Sequence, residues 1–502
     1  MAISIAFFAA PAVLSGWGGS AAPAPDWRID TPRTIEDTTY TADGSVVVAA
    51  GGTLTLRNAT LLFNLAESGG LRLAVETGGA LIIQNSTLRA SDAARAQGLH
   101  WNFLVSGRLE VRGADISDMR GDAGLGGLEI DSTDALVEDS FIHNNRYYGL
   151  FLRSGAPIVR RTTFDANVVG VFVLPGASPV LEDLVIKNST GFGLKINDGS
   201  PVVRNLTVTG SGNFAVGAVG GILDIVGCRL SGGQVGLDAV LGTTGTVRDC
   251  EFLSFGTGVR AQDSPIRVEN STFFGDALGV NATRSAVELE SNRFVDIPLG
   301  VRVQDAPGGV FGGEAVGNDF TGSGVAIEVH IANFFLDGNT YGPSVTGTRV
   351  FHRMTLLIVD KSGAAVPRAR VNITAADGAL VFTGLTNDTG AVEAALEEFR
   401  EFGDGTRQNL TPHAVRIENR GLITEASVNA TSDRTATITL GEAPPPLVFG
   451  VTREALLLIA AVFGAAALLG AFGMRARRRS GGRRADERSS RGRQRRGPRS
   501  GR

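Results

Sequence analysis

Apolar and polar residues alternate in short runs through the middle of the chain, and the runs return at a regular interval. A glycine followed by an aliphatic residue recurs about every 22 residues, at Gly127-Leu128, Gly149-Leu150, Gly170-Val171, Gly193-Leu194, Gly236-Leu237, Gly258-Val259, Gly279-Val280 and Gly300-Val301. A second apolar column has the same period, at Phe141, Phe164, Ile186, Val208, Leu230, Phe252, Phe273 and Phe294. Each unit contains runs with the two-residue period of a strand, separated by Gly, Asn and Asp where the chain turns.

A unit of this length, with short strands and no helix, predicts one coil of a parallel β-solenoid. Stacked coils place equivalent residues about 4.8 Å apart, so each column becomes a ladder of side chains. One ladder is charged over most of its length, at Glu138, Arg160, Glu182, Arg204, Val226, Arg248, Glu269 and Glu290. The leucine-rich repeat signature is absent, and a propeller blade needs about 40 residues.

The blocks Asn270–Phe274 and Leu278–Val280, with their counterparts in other coils, resemble the right-handed parallel β-helix repeats of the pectin-lyase-like family. The resemblance covers about residues 40–345, within a predicted β-helix domain of residues 25–350. It implies a fold but no single activity, because carbohydrate lyases, hydrolases, epimerases, adhesins and copper-delivery proteins share that fold.

The pattern changes from Met354 onwards. Alternating strands separated by Gly and Asn/Asp turns continue to residue 441. The stretches Lys361–Val371 and Thr386–Gly390 resemble the Ig-like sandwich of the carboxypeptidase-regulatory, or prealbumin-like, family. The predicted fold is therefore all-β: a right-handed parallel β-helix, a small Ig-like/prealbumin-like sandwich over residues 351–441, and then a transmembrane helix.

Three segments outside these domains predict export and anchoring. Residues 1–24 carry a short apolar run followed by small residues and prolines, as in a signal peptide; the alternative, an N-terminal anchor, needs about 20 apolar residues. A Pro-rich linker is predicted at 442–454 and a transmembrane helix at 455–474, which has no charged residue. The basic tail at 475–502 favours a cytoplasmic C-terminus by the positive-inside rule.

Charge supports this topology. The chain has a net charge of −4, and the tail from Arg475 holds 13 Arg and 2 acidic residues, so the acidic charge lies in the rest of the chain. We interpret this asymmetry as a topology signal and expect no nucleic-acid partner. The expected partners are membrane lipid around the single C-terminal helix and a surface polysaccharide or cell-envelope protein. The expected location is the cell membrane, with an extracellular ectodomain.

Candidate chemistry is sparse. The sequence blocks that a resemblance to polygalacturonases would require are absent. Beside the Gly-aliphatic motif, an outward column reads Phe151, Phe172, Lys195, Gly217, Asp238, Arg260, Asn281 and Arg302. One acid is too few for a calcium site. Lys195, Asp238 and Arg260 are weak catalytic candidates; the alternative is a solvated face.

A second candidate lies in the residues 139–148. His143, Arg146, Tyr147 and Tyr148 predict a ligand-binding surface, in which a histidine could act as a base beside an aromatic sugar platform. In the alternative, Asn144 and Asn145 make the turn and the tyrosines cover the coil edge. The five His and four Met are scattered without ligand spacing, so we expect neither a metal nor another cofactor.

Glycosylation sequons are frequent. Ten Asn-x-Ser/Thr sites occur, at Asn58, Asn85, Asn188, Asn205, Asn270, Asn281, Asn372, Asn387, Asn409 and Asn429. They predict an extracellular glycoprotein, with an archaeal source fitting best. The alternative for some of them is turn chemistry that recurs with the repeat.

The two cysteines, Cys228 and Cys250, precede core positions of successive coils by two residues each. Stacking puts their Cα atoms about 4.8 Å apart, within the range of a disulfide. We predict a bond between them; the alternative is a stacked pair of buried thiols.

These observations predict a non-enzymatic cell-surface protein, in which a β-helix rod serves adhesion or the binding of polysaccharide or protein. The alternative is a membrane-anchored polysaccharide lyase, hydrolase or epimerase. Nearly uniform coils from Gly127 to Val301 favour the first hypothesis, because a catalytic cleft is usually built by long insertions.

Overall fold

A computed structural model of the protein describes residues 25–122, 125–305, 311–343 and 345–441. Most of the described chain winds as a parallel β-helix, which confirms the predicted solenoid. Each coil contributes one strand to each of three sheets, which we call the first, second and third sheets in the order in which a coil visits them. The predicted signal peptide, linker, transmembrane helix and tail lie outside the described residues.

The first sheet has 14 strands that pair in parallel along the rod. At about 4.8 Å per strand, the rod is roughly 65 Å long. The strands are Arg33–Glu36, Thr53–Arg57, Ala80–Gln84, Arg108–Arg112, Ala135–Glu138, Ile158–Arg160, Val180–Glu182, Val202–Arg204, Ile222–Val226, Thr244–Arg248, Ile266–Glu269, Val287–Glu290, Phe311–Val316 and Asn333–Asp337.

The second sheet follows the first across a tight turn. Its strands are Thr39–Ala42, Thr60–Phe63, Thr87–Ala90, Asp115–Ser117, Phe141–His143, Thr163–Asp165, Val185–Lys187, Thr207–Thr209, Arg229–Ser231, Glu251–Leu253, Thr272–Phe274, the first parts of Arg293–Gln304 and Asp319–His330, and Thr340–Tyr341.

The third sheet carries the Gly-aliphatic motif. Its strands are Trp27–Ile29, Val46–Val48, Arg72–Val75, Asn102–Val105, Leu128–Asp131, Tyr148–Ser154, Val169–Val173, Phe192–Asn197, Phe214–Val219, Val235–Val240, Thr257–Gln262, Leu278–Thr283, the second parts of Arg293–Gln304 and Asp319–His330, and the start of Thr346–Val359. Two additions interrupt the coils before this sheet: a short helix, Asp92–Ala96, and a hairpin of Gly121–Asp122 with Leu125–Gly126.

The two apolar columns form the solenoid core. The aliphatic residues of the Gly-aliphatic motif pair in register from coil to coil and are buried. The rings of Phe252, Phe273 and Phe294 stack at centroid distances of 4.7 and 4.8 Å. Glycine is required beside them, because a Cβ at Gly279 would come within 2.7 Å of the Phe294 ring.

One predicted member of the phenylalanine column is wrong. Phe141 pairs with Thr163, and its neighbour Ile142 pairs with the core residue Phe164. Ile142 is buried and Phe141 is only half-buried. The sequence offers two adjacent apolar residues here, and only the packing of the coil selects between them.

Beyond the solenoid the chain forms a two-layer sandwich with its own hydrophobic core. One layer holds the end of Thr346–Val359 with Ala391–Phe402, Arg407–Asn409 and Arg434–Thr439; the other is an antiparallel sheet of Leu380–Leu385, Arg370–Thr374, His413–Asn419 and Leu422–Val428. The strand Thr346–Val359 runs without a break from the third sheet into the sandwich. The two parts therefore share one sheet.

Candidate functional site

The outer face of the third sheet brings together most of the residues that the sequence singled out. The outward column from Phe151 to Arg302 pairs in register as predicted, one residue per coil. Five coil spacings of about 4.8 Å separate Phe151 from Arg260, roughly 24 Å in all. Strand geometry thus turns scattered sequence positions into one surface.

At the N-terminal end of this face the side chains form an aromatic cluster. The rings of Tyr147 and Tyr148 lie 4.6 Å apart between centroids, and Tyr148 lies 4.9 Å from Phe151 and 5.5 Å from Phe172. Tyr148, Phe151 and Phe172 are buried, although they lie outside the solenoid core. The hairpin packs against Tyr147, since a Cβ at Gly121 would meet the Tyr147 Cβ at 2.6 Å. The cluster therefore has a wall on one side.

Cations continue the cluster along the sheet. The Lys195 Nζ lies 4.8 Å from the centroid of the Phe172 ring and 5.1 Å from that of Phe192. Phe192 stacks on Phe214 at 4.9 Å, and the Arg260 guanidinium lies 5.4 Å from the Phe214 ring. Cation–π contacts of this kind stabilise a charge and hold it over the ring face.

We call this surface the aromatic–cationic stripe; its members are Tyr147, Tyr148, Phe151, Phe172, Phe192, Lys195, Phe214, Asp238 and Arg260. The sequence analysis missed Phe192 and Phe214. The sequence repeat could have identified both, because Phe192 and Phe214 occupy the same column as Tyr148 and Val169, just before the Gly-aliphatic motif.

Lys195 has no anionic partner among the described residues, where no carboxylate oxygen lies within ion-pair distance of its Nζ. Burial lowers its pKa. Other cations nearby have a carboxylate partner. Lys187 lies 3.3 Å from Asp165, and Arg260 lies 2.6 Å from Asp238. Lys195 is thus a partly desolvated cation that two ring faces stabilise but that pairs with no described carboxylate.

The three weak catalytic candidates do not converge on one point. Asp238 and Arg260 pair with each other, and the hydrogen bond from Arg260 to Asp238 raises the pKa of the guanidinium. Lys195 lies two coils from Asp238, roughly 10 Å along the rod. The arrangement suits an extended ligand better than a single reacting centre.

His143 lies apart from the tyrosines. It ends a strand of the second sheet, where its Nε2 is 3.0 Å from an Asp115 oxygen and its Nδ1 is 2.8 Å from the Asn144 amide. Arg146 is exposed in the following turn, and Tyr148 begins the third sheet. His143 therefore faces a different side of the rod from the stripe.

Eight of the ten sequon asparagines are exposed, whereas Asn281 and Asn372 are half-buried. Asn58, Asn85, Asn205 and Asn270 share the turn between the first and second sheets, and Asn188 follows a strand of the second sheet. Asn281 lies on the third sheet, and the remaining sequons, Asn372, Asn387, Asn409 and Asn429, belong to the sandwich.

The two cysteines occupy equivalent positions in adjacent coils. Their Cα atoms are 4.5 Å apart, and the structure joins Cys228 and Cys250 as a disulfide. Both side chains are buried.

Within the part of the chain that the structure describes, no three His, Cys, Asp or Glu side chains group as metal ligands. In the same residues there is no helix long and apolar enough to cross a bilayer; the predicted span at 455–474 lies outside them.

Comparison with known proteins agrees with the fold. A family model described as a right handed beta helix region matches residues 44–230. No curated protein sequence matches the chain.

Solved structures give only a distant likeness. The A-module of a mannuronan C-5 epimerase from Azotobacter vinelandii is 14% identical with a TM-score of 0.27, and the match covers 62% of this chain and 90% of that one. Tailspike protein 3 of bacteriophage CBA120 is 11% identical with a TM-score of 0.28, covering 75% and 58%. PfbA, a surface adhesin of Streptococcus pneumoniae, is 11% identical with a TM-score of 0.22, covering 71% and 92%. These scores carry no argument about activity.

Proposed function

We propose that this chain is a membrane-anchored surface protein whose β-helix binds an acidic polysaccharide along the aromatic–cationic stripe. The rod is the binding element, and the sandwich, which we propose to be an Ig-like module, is its base. The export signal, the membrane helix, the extracellular location and the glycoprotein character belong to the proposal and rest on the sequence patterns of residues 1–24 and 455–502 and on the sequons.

The charge of Lys195, which has no carboxylate partner among the described residues, carries the proposal. Removing a cation from water is costly, and ring faces offset only part of that cost. A ligand carboxylate above the rings would supply the missing ion pair, while the half-buried rings of Phe192 and Phe214 would pack against the apolar faces of sugar rings. A polysaccharide of acidic sugars offers both groups repeatedly along one chain.

The test measures binding of the full-length protein, in detergent, to polygalacturonate and to neutral dextran. We expect binding to the polyuronate that weakens with added salt, and at least a tenfold loss of affinity in Lys195→Ala. Lys187→Ala is the matched control, because Lys187 already pairs with Asp165 on another sheet. Equal affinity of both polymers, or equal affinity of both variants, would contradict the proposal.

One observation favours the enzymatic alternative, a lyase or epimerase acting on the same ligand. Burial lowers the pKa of Lys195, and a neutral amine can accept a proton from a sugar carbon. Against it, Asp238 is paired with Arg260 and lies two coils away. We expect no unsaturated uronate to form from polygalacturonate; product that disappears in both Lys195→Ala and Asp238→Ala would establish the enzyme instead.

A further inference from the structure

The end of the sandwich that lies remote from the solenoid collects several turns into one surface. The strand Thr346–Val359 leaves the solenoid and ends here. The Arg368 N–H donates to the Thr386 carbonyl at 2.9 Å. The Asn419 side-chain amide donates to the Pro367 carbonyl at 3.2 Å, which ties a second hairpin to the same end. We call this surface the distal tip; it comprises residues 359–370, 385–390, 418–423 and 439–441.

Three large apolar side chains are exposed at the distal tip. Leu422 and Ile423 follow a tight turn and are 55% and 50% exposed, and Leu385 is 60% exposed on the opposite edge of the same sheet. Cross-strand pairing places Leu385 and Ile423 three strand spacings apart, roughly 14 Å, with Arg370 and Glu418 between them. The apolar side chains therefore stand at both edges of the tip, and charged residues lie between them.

Cations outnumber carboxylates at the distal tip. It carries four exposed cations that have no carboxylate oxygen of a described residue within ion-pair distance: Lys361, Arg368, Arg370 and Arg420. Arg416, further along the sheet, does pair, with Glu425 at 3.9 Å. The three carboxylates of the tip are those of Asp360, Asp388 and Glu418. Asp360 is occupied by its own turn, where it accepts the N–H groups of Ser362 and Ala364.

Charge distinguishes the distal tip from the other exposed apolar surface of the sandwich. Leu380 is 63% exposed at the end of the sheet that joins the solenoid. The turn before it, residues 376–379, holds one acidic residue, Asp377, and no cation. Apolar and cationic side chains thus occur together at the tip and not around Leu380.

The described chain also ends at the distal tip. The Leu440 N–H donates to the Val359 carbonyl at 2.7 Å, and the Gly441 N–H donates to the Thr424 Oγ1 at 2.7 Å. Residues 442–454 lie between Gly441 and the membrane helix proposed at 455–474, and such a linker spans at most about 45 Å. An anchor there keeps the tip close to the bilayer and gives a contact between them a high effective concentration.

We infer that the distal tip binds the surface of the membrane that anchors the chain. Leu422 and Ile423 enter the headgroup region, and the four cations of the tip pair with anionic lipid headgroups. Apolar side chains gain free energy by leaving water at the interface, and cations are attracted to an anionic surface. The contact restrains the direction in which the rod projects. This inference rests on the proposed membrane anchor and is independent of the polysaccharide site.

The test places a fluorophore at the distal tip of the full-length protein in liposomes. Leu422→Cys is labelled with NBD, and the protein is reconstituted in phosphatidylcholine alone or mixed with phosphatidylglycerol, with and without doxyl-labelled lipid as a quencher. We expect doxyl lipid to quench the label at least twofold more in the anionic liposomes than in phosphatidylcholine. Leu380→Cys is the matched control, because it is equally exposed at the other end of the sheet, and its label should not be quenched.

Charge reversal tests the contribution of the cations. Arg368→Glu with Arg420→Glu, in the labelled Leu422→Cys protein, should remove the preference for anionic liposomes. Arg434→Glu is the control, because Arg434 is an exposed cation that pairs in register with Met354, away from the tip, and should leave the quenching unchanged.

A label in the proposed membrane helix separates failure of the contact from failure of the anchor. Ala465→Cys should be quenched in both kinds of liposome. If it is not, the anchor is contradicted and the inference falls with it. If it is, equal quenching at residues 422 and 380 would overturn the inference alone. A label at 422 that is shielded without any quenching by doxyl lipid would also overturn it, because protein rather than lipid would then cover the tip.

Discussion

At the scale of single residues, buried polar side chains at one turn of the solenoid satisfy backbone groups of the preceding coil. The Ser86 Oγ accepts the N–H of Ala59 at 3.0 Å, and the Asn292 Oδ1 accepts that of Ser271 at 3.0 Å. The cysteines are rungs of the same ladder, since the Cys250 Sγ lies 3.2 Å from the Cys228 nitrogen. These contacts compensate N–H groups that the turn would otherwise bury without a partner.

We expect the two cysteines to resist alkylation of the unfolded, unreduced protein and to react after reduction, as intact mass will measure. The double variant Cys228→Ser/Cys250→Ser should keep the ladder, because serine already serves at Ser86, and should lose only the cross-link. A loop of this length contributes roughly 3 kcal/mol in the chain-entropy estimate. Alkylation of both cysteines without reductant would contradict the bond.

Asp276 occupies a rung that elsewhere holds asparagine. Its Oδ1 accepts the Phe255 N–H at 2.6 Å, while its buried Oδ2 has no hydrogen-bond partner. Burial raises its pKa to about 7, against the effect of that hydrogen bond. Between pH 4 and pH 7 the folded protein keeps a proton that the unfolded chain releases. The free energy of unfolding should therefore fall as pH rises through this window, by an amount on the order of a few kcal/mol.

Asp276→Asn should abolish the fall in the free energy of unfolding between pH 5 and pH 8, as denaturant unfolding at the two pH values will show. Asparagine is uncharged and fits the ladder elsewhere, where the Asn145 Oδ1 accepts the Met119 N–H at 2.8 Å. Asp263→Asn is the control. Its pairing with Arg284 lowers the pKa of Asp263, so its contribution is lost at acidic pH instead. An unchanged loss between pH 5 and pH 8 in Asp276→Asn would refute the assignment.

At the scale of elements, the turns rather than the strands explain the Asn and Asp columns. Asp198, Asp263 and Asp305 have φ values of 45°, 51° and 53°. Asn and Asp tolerate this left-handed conformation better than other side-chain-bearing residues. Asn205 and Asn270 have φ values of 54° and 45° in another turn, where each donates to an Asp of the preceding coil. Part of the sequon pattern thus follows from the backbone.

Glycosylation should follow exposure. We expect glycopeptide mapping of the native protein to find glycans at Asn58, Asn85, Asn205 and Asn270, which share the turn opposite the third sheet. Asn281 should be unmodified, because it is half-buried on the third sheet between Arg260 and Arg302. A glycan on Asn281 would stand beside the stripe and would contradict its role as a binding face.

At the scale of the whole molecule, a buried ion network joins the rod to the sandwich. Arg349 contacts Glu328 at 2.6 Å and Glu397 at 2.9 Å, and Glu397 also binds Arg400 at 3.0 Å. Burial opposes the charge of Glu328, but the His330 ring 3.6 Å away, the hydrogen bonds from Arg302 and the positive charge of Arg349 outweigh it and lower its pKa to about 2. This contribution to stability is present above the ordinary pKa of a glutamate and is lost as pH falls towards 2.

Glu397→Gln should uncouple the two domains. It leaves Arg400 without a carboxylate and Arg349 with Glu328 alone; because both arginines are partly exposed, we expect a loss on the order of 1–3 kcal/mol. We expect calorimetry to resolve two transitions in this variant and one in the wild type. Glu393→Gln, an exposed position on the same strand, is the control and should behave as the wild type does. Two transitions in the wild type would argue against rigid coupling.

The exit point of the chain bears on topology. The last described strand, Arg434–Thr439, ends beside Val359, at the end of the sandwich remote from the solenoid. A membrane anchor after this strand would hold the rod away from the bilayer. We expect protease added to intact cells to remove epitopes before Pro444 and to spare the tail from Arg475. Protection of the sandwich would contradict the predicted topology.

The repeat pattern was enough to predict the solenoid, its core columns and the adjacency of the cysteines. In a stacked repeat, residues one period apart become neighbours in space, so their spacing in the sequence predicts which residues are adjacent in successive coils. That is why the outward column from Phe151 to Arg302 and the pair Cys228 and Cys250 were predicted in register. The same counting misplaced Phe141, because two adjacent apolar residues fit the period equally well.

The repeat pattern does not predict which columns contact each other. The contact of Lys195 with Phe192 joins two columns within one strand, and no period predicts that its side chain leans in that direction. The network of Glu328, Arg349 and Glu397 joins residues far apart in the chain, through a strand that the sequence divided between two domains. A repeat specifies neighbours along its own axis, whereas contacts between columns and at the end of the rod follow from packing in three dimensions.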